Sequence, residues 1–354
     1  AASAATATRS EAFSQDPLWV QGGAASAAPA TRSEELFHGQ PCHRLTLAHG
    51  DSVLVAQHGA QVVSWVSGGR ERLFLSPNTV WDGRAALRGG IPVCFPQFNQ
   101  RGDLPKHGFV RNRPWTLLAA EAGDAPTEPL QTSKPVIASV AKQSILDSES
   151  ITHGMPRHSA PREDGLMQAF PGSLCFAFSA NDSTRAMWPA EFEARLHVVL
   201  QPGQLRVTLE VRNLGKQAFS FSGALHSYLA VSDIAQVRLA GLGGQNEWDA
   251  LADTYQTALE SLQCVGPFDR VYSAPHAPLH LHDPAGGLEI SNSEGWADCV
   301  VWNPGAAGCA GMSDMTPDAF EHMLCVEAAQ VFEPISVAPG GQWSGSQVLR
   351  AVGA

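Results

Sequence analysis

Two side chains sit where burial would be costly unless they do chemistry. His226 lies in the run Phe221-Ser222-Gly223-Ala224-Leu225-His226-Ser227-Tyr228-Leu229, and Glu327 follows Met323-Leu324-Cys325-Val326. A carboxylate after four apolar or thiol residues is expensive to desolvate. Once desolvated, its pKa rises toward the working pH, which suits a general base. An imidazole titrates near neutrality and suits the complementary general acid. Each residue also has a plain structural reading, as a histidine satisfied inside a core or a glutamate held by an arginine. The spacing in sequence leaves open whether the two meet.

A third feature is the window Arg84 to Arg113. It holds six basic residues (Arg84, Arg88, Arg101, Lys106, Arg111, Arg113) against Asp103, so it is locally +5 in a chain of net charge −11. Guanidinium forks match anionic oxygens, and Gly89-Gly90 would let backbone approach a ligand. A solvated, salt-bridged surface would carry the same charges. The glycines and Pro92, Pro96 and Pro105 point to shaped loops.

The elements that must position these groups are strands. In Glu191–Leu200, Phe192, Ala194, Leu196 and Val198 alternate with charged or polar residues, and after Gln201-Pro202-Gly203-Gln204 the run Leu205–Asn213 repeats the pattern. This reads as an antiparallel hairpin with one dry face. Similar runs recur at 219–221, 225–231, 288–291, 299–302, 323–326 and 347–351, and no long stripe of helical period appears. The expectation is an all-β sandwich or barrel.

Of 354 residues, 44% are hydrophobic and 16% charged, which excludes wholesale disorder. Acidic residues outnumber basic ones by 34 to 23, opposite to the footprint of a nucleic-acid binder. No apolar run approaches the ~18 residues of a membrane span. Seven cysteines without a Cys-x-x-Cys pair argue against a disulfide framework or zinc motif, so a reducing compartment, the cytoplasm, is expected. A secretory leader is not evident. His280 and His282 beside Asp283 are expected on a surface strand rather than around a metal.

Residues 1–36 are expected to form a low-complexity, disordered extension, since Ala1 to Glu11 recurs at Ala24 to Glu34 with only Thr6 changed, to Pro29. A single duplication is no solenoid. One domain is expected over 37–354. It would carry a flexible insertion at about 121–168, because Thr116 to Ala169 contains none of the chain's 27 aromatic residues.

The string Leu87-Arg88-Gly89-Gly90-Ile91-Pro92-Val93-Cys94-Phe95-Pro96-Gln97-Phe98, followed by Leu104-Pro105-Lys106-His107-Gly108-Phe109-Val110-Arg111-Asn112, resembles the hexose-6-phosphate mutarotases, or glucose-6-phosphate 1-epimerases, relatives of the aldose 1-epimerases. Leu225-His226-Ser227-Tyr228, Asp233-Ile234, Asp269-Arg270-Val271-Tyr272, Trp302-Asn303-Pro304 and Cys325-Val326-Glu327 resemble later motifs of that family. The resemblance spans roughly residues 45–350, outside the extension and the insertion.

The resemblance implies a galactose-mutarotase-like antiparallel β-supersandwich, no cofactor and no metal, and a hexose 6-phosphate as small-molecule partner. His226 would be the general acid and Glu327 the general base. Arg88 and Arg111 would bind substrate, chiefly its 6-phosphate, Asp269 would accept from sugar hydroxyls, and His107 would help hold the sugar. Lys106 departs from the family pattern and stands open between phosphate and solvent. Asn99 and Ala328 also depart, replacing a common Gly and a common Pro. A monomer is expected. The alternatives are an epimerase of unphosphorylated aldoses and a non-catalytic sugar-phosphate-binding protein. Trp296 and Trp302 could stack on sugar or pack in the core.

Overall fold

Alternation with a period of two is realised as strands in a computed structural model, which describes residues 30–119 and 172–353, apart from 274 and 276. The hairpin read from sequence is present as Phe192–Gln201 and Gln204–Asn213, with Leu196 opposite Leu209 and Val198 opposite Val207. All four of these side chains are buried. At ~25 cal/mol per Å² of apolar surface removed from water, such pairs are what holds the sheet to its neighbour.

Among the described residues the strands form three sheets. A five-stranded meander runs through Thr31–Phe37, Gln40–Thr46, Ser52–Ala56, Val62–Ser67 and Arg70–Glu71. A nine-stranded sheet carries the hairpin in its interior, flanked by Ser173–Ser179 and by Gln342–Ala351. The third, eight-stranded sheet includes, in spatial order, Asn246–Asp249, Phe268–Ser273, Asp298–Asn303, Met323–Val337, Phe219–Leu225 and Val93–Cys94. Paired strands are antiparallel throughout. The fold is therefore an all-β, antiparallel sandwich, one of the two architectures the patterning left open and the one the resemblance implied.

One core joins the sheets. Leu45, Val55 and Val62 from the first, Leu196, Val207 and Leu209 from the second, and Tyr272, Val301 and Val326 from the third belong to a single buried cluster. Parity then places the other side chains of the third sheet on its far face. Val271, Val300 and Ala329 form a separate cluster with Phe98, and Cys325 belongs to another with Tyr228. That far face carries Glu327 and the candidate site.

The boundary drawn at residue 36 is corrected. Thr31–Phe37 is a strand paired along its length with Gln40–Thr46, from Thr31 opposite Thr46 to Phe37 opposite Gln40. The duplicated motif masks it, because Thr31-Arg32-Ser33-Glu34 copies a low-complexity stretch and becomes a strand only through its partner. The remainder of the extension and the insertion at 121–168 lie outside the described residues. All seven cysteines are free, and no described helix is long and apolar enough to cross a membrane. His280 and His282 are exposed on the strand Leu279–His282, while Asp283 bonds Arg70 and Ser232.

Candidate active site

Two rows of paired residues cross the far face of the eight-stranded sheet. In one, Asp269 stands opposite Trp302, Trp302 opposite Cys325, and Cys325 opposite Tyr228. In the other, Trp248, Val271, Val300 and Glu327 succeed one another. Adjacent strands lie ~4.8 Å apart, so these rows set Asp269, Trp302, Cys325, Tyr228 and Glu327 in one patch.

His226 reaches the patch because the sheet is interrupted there. The apolar run 225–231 reads as one strand in the sequence, but it divides into Phe219–Leu225 and Tyr228–Ala230, both paired with Met323–Val337. In the gap, His226 donates its backbone N–H to Pro92 O at 3.0 Å, and Ser227 O accepts from Val326 N at 3.2 Å. The imidazole is thereby freed to face Glu327, with Nδ1 3.2 Å from Glu327 Oε1. That approach lacks hydrogen-bond alignment, and both His226 Nδ1 and Glu327 Oε2 are buried without a hydrogen-bond partner.

Aromatic rings fix the imidazole. Tyr228 stacks on it at 4.7 Å between centroids, and Trp302 meets it edge-on at 5.9 Å. His107 closes another side at 5.4 Å. His107 has a left-handed backbone, φ 64°, and its Nδ1 accepts from the Asn99 N–H at 3.3 Å. Nε2 is thus the protonated ring nitrogen of the neutral imidazole. Asn99, where the family commonly has Gly, is itself left-handed at φ 48°, a conformation Asn accepts better than most residues. Ala328 is buried on the core side, opposite Leu225.

Electrostatics follow from this burial. Desolvation first, and Asp269 second, hold the Glu327 carboxyl well above its usual range. Desolvation, followed by the charges of nearby His107, Arg111 and Arg88, holds His226 well below its usual value. His107 is pushed down to about 2 by burial and by Arg111, Lys106 and Arg88. Burial also raises Asp269, against the pull of Lys106 and Arg270. The outcome is a dry imidazole–carboxyl couple in which burial favours the neutral form of both groups.

The basic window divides. Arg88 and Arg111 act electrostatically on His226, and Lys106 with them on His107, whereas Arg84 is exposed and Arg101 lies over Trp248 at 5.3 Å and Phe332 at 5.7 Å. Arg88 is already engaged: Nε donates to Asp314 Oδ2 at 3.0 Å, Nη2 pairs with the same oxygen at 3.0 Å, and Nη1 donates to the Tyr228 hydroxyl at 2.9 Å. Arg111 donates through Nη2 to Lys106 O at 2.9 Å, and its Nε is buried without an acceptor. Lys106 is exposed. Gly89 and Gly90 do not open room for a ligand as the sequence suggested. A Cβ on Gly90 would lie 2.0 Å from Val62 O, and one on Gly89 2.6 Å from Leu75 Cα, so they admit the chain's own backbone.

Asp314 escaped the sequence reading, since nothing in its turn-like surroundings marks it. Cys325 could have been found by parity, two residues before Glu327 on the same strand face. Trp302 is part of the site, and Trp296 is buried against Trp343 in the core. Among the described residues, one cluster has metal-ligand spacing: donor atoms of His226, Cys325 and Glu327 all within 4.8 Å of one another.

An antiparallel sandwich with this buried couple on the outer face of one sheet has the fold of the galactose mutarotase-like proteins. The chain belongs to the aldose 1-epimerase family, whose sequence pattern matches residues 42–131 and 158–350. It is 33% identical over 302 residues to a protein of Cenchrus ciliaris, covering 83% of this chain and 80% of that one. It is 31% identical over 290 residues to one from Salmonella typhimurium, covering 79% and 80%. Both bear the name "Putative glucose-6-phosphate 1-epimerase". A galactose mutarotase-like protein from Clostridium acetobutylicum shares the fold at TM-score 0.60 and 15% identity, covering 92% of this chain and 99% of that one.

Proposed function

We propose that the protein interconverts the α and β anomers of D-glucose 6-phosphate or a related hexose 6-phosphate. The observation that carries this reading is the buried His226–Glu327 couple, 3.2 Å across, beside an arginine nitrogen, Arg111 Nε, that has no acceptor.

In the charged tautomer of the couple, Glu327 takes the proton of the anomeric hydroxyl while His226 gives its proton to the ring oxygen. The C1–O5 bond breaks, and C1 and O1 form a carbonyl. The couple is then neutral, the form that burial favours, so it matches the open-chain aldehyde. Rotation about C1–C2 presents the other carbonyl face. Glu327 then returns a proton to O1 as His226 accepts one from the attacking hydroxyl, and the two residues have exchanged roles. Arg111 and Arg88 bind the 6-phosphate, Asp269 accepts from sugar hydroxyls, and the His107 Nε2–H donates near the reacting end. Lys106 adds charge at the rim.

The engagement of Arg88 by Asp314 favours a second reading, an epimerase of unphosphorylated aldoses, in which Arg88 braces Tyr228 rather than binding substrate. Magnetisation-exchange NMR on α-glucose 6-phosphate and α-glucose decides between them. Acceleration confined to the phosphorylated sugar, lost by roughly 10²–10⁴-fold in His226→Asn and Glu327→Gln, is the expected result. Equal acceleration of both sugars selects the second reading. No acceleration by folded protein would leave a sugar-phosphate-binding protein.

A further inference from the structure

Cys325 is a buried thiol of the site that proton transfer leaves unused. Its Sγ, a His226 ring nitrogen and a Glu327 carboxylate oxygen lie within 4.8 Å of one another. His226 Nδ1 and Glu327 Oε2 are both buried without a hydrogen-bond partner. We propose that His226, Cys325 and Glu327 form a binding site for a thiophilic divalent cation, with zinc as the type ion, and that the cation blocks the catalytic couple.

The dimensions agree with the chemistry. A tetrahedral zinc bound to nitrogen and oxygen at ~2.0–2.1 Å holds those two atoms about 3.3 Å apart, and His226 Nδ1 stands 3.2 Å from Glu327 Oε1. With Zn–S at ~2.3 Å the sulfur belongs about 3.6 Å from each, which small side-chain rotations supply from the observed spacing. One thiolate and one carboxylate neutralise the dication, and Asp269 adds a negative charge felt by both Glu327 and Cys325. Arg88 and Arg111 oppose it. Binding releases the thiol proton and the labile proton of the couple to solvent. The fourth coordination position remains for water or a sugar hydroxyl.

The cation's binding stands on the three donors, whereas its inhibitory effect rests on the proton-transfer role proposed for His226 and Glu327. The test titrates the metal-free full chain with Co²⁺ and follows absorbance. One Co²⁺ per chain, with a thiolate-to-cobalt charge-transfer band and the intense visible bands of four-coordinate cobalt, is expected, and Zn²⁺ should displace it. Cys325→Ser should lose the charge-transfer band and bind Zn²⁺ more than about 100-fold more weakly, beyond the loss for a partner one shell out. A wild-type spectrum lacking the thiolate band refutes the site even where the variant fails to fold, as does undiminished zinc binding by folded Cys325→Ser. Anomer exchange should slow in proportion to Zn²⁺ occupancy, with hexose 6-phosphate competing. A thiolate–cobalt spectrum in a protein that never accelerates exchange supports the metal site and sinks the proposed function alone.

Discussion

Glu327→Gln should slow anomer exchange by roughly 10²–10⁴-fold and, as pH rises, stabilise the fold relative to the wild type. The Glu327 side chain is 1% exposed, and burial together with Asp269 holds its carboxyl well above 4.5. Well below pH 4.5 the folded and unfolded chains both carry the proton, and the carboxyl has no effect on stability. Between the ordinary and the raised value, the unfolded chain has released a proton that the folded chain retains. Wild-type stability then falls by about 1.4 kcal/mol per pH unit until the folded value is passed. Glutamine has no such proton. Its amide, left without partners, costs about 1–3 kcal/mol at every pH, so a constant offset and a slope can be separated. Urea denaturation of both proteins at pH 4 to 8 measures the difference. A gap that grows with pH at about 1.4 kcal/mol per unit is expected. A flat gap, or one that shifts toward the wild type as pH rises, would show that the native carboxylate is charged and satisfied, and the argument for a raised general base would fall.

Anomer exchange should follow a broad bell in pH. A second proton on the couple is opposed by burial and by Arg111 and Arg88, which sets the acid limb below the usual histidine range, and Asp269→Asn should lower the alkaline limb by removing the charge that raises Glu327. Arg88→Met should raise KM for the hexose 6-phosphate by about 10–100-fold, the equivalent of one charge-assisted hydrogen bond, with free glucose little affected; Asp314→Asn, which releases Arg88, should act in the opposite direction, and equal effects on both sugars would remove Arg88 from phosphate binding. On the nine-stranded sheet, His197 is raised to about 9 by Cys175 and Glu210 against burial. It therefore stabilises the fold fully below pH 6.5 and loses that contribution as pH rises through 9. The amount is at most about 3 kcal/mol, since Glu210 Oε2 lies 3.6 Å from a His197 Nε2 that makes no hydrogen bond. Thermal unfolding of His197→Gln between pH 6 and 10 should show this dependence gone.

The sheet architecture was legible wherever one face is dry. Phe192 to Val198 and Leu205 to Val211 announce their period because water lies on one side of that sheet, and the observed hairpin matches them residue for residue. Met323–Val337 was harder. It is buried on both faces over its first nine residues, so periodicity gives no hint of which side Glu327 takes. Chemistry singled out His226 and Glu327 as costly residues, but their meeting depends on a strand break at 226–227 that no local signal marks. Thr31–Phe37 was missed because its identity comes from a partner strand. Asp314 was missed because its role comes from Arg88, far away in sequence.

That distance has a kinetic consequence. Arg88 and Asp314 are 226 residues apart, and the same loop is tied to Ser76 and Asn78 by hydrogen bonds spanning 238 and 237 residues. The hairpin at 201–204 can close early, but contacts of this span carry the full loop-closure entropy and form only after the sheets have docked. On refolding, recovery of strand signal should therefore run ahead of recovery of activity. A nascent chain still lacking Met323–Val337 has His226 but neither Glu327 nor the strand that joins Asp298–Asn303 to Phe219–Leu225.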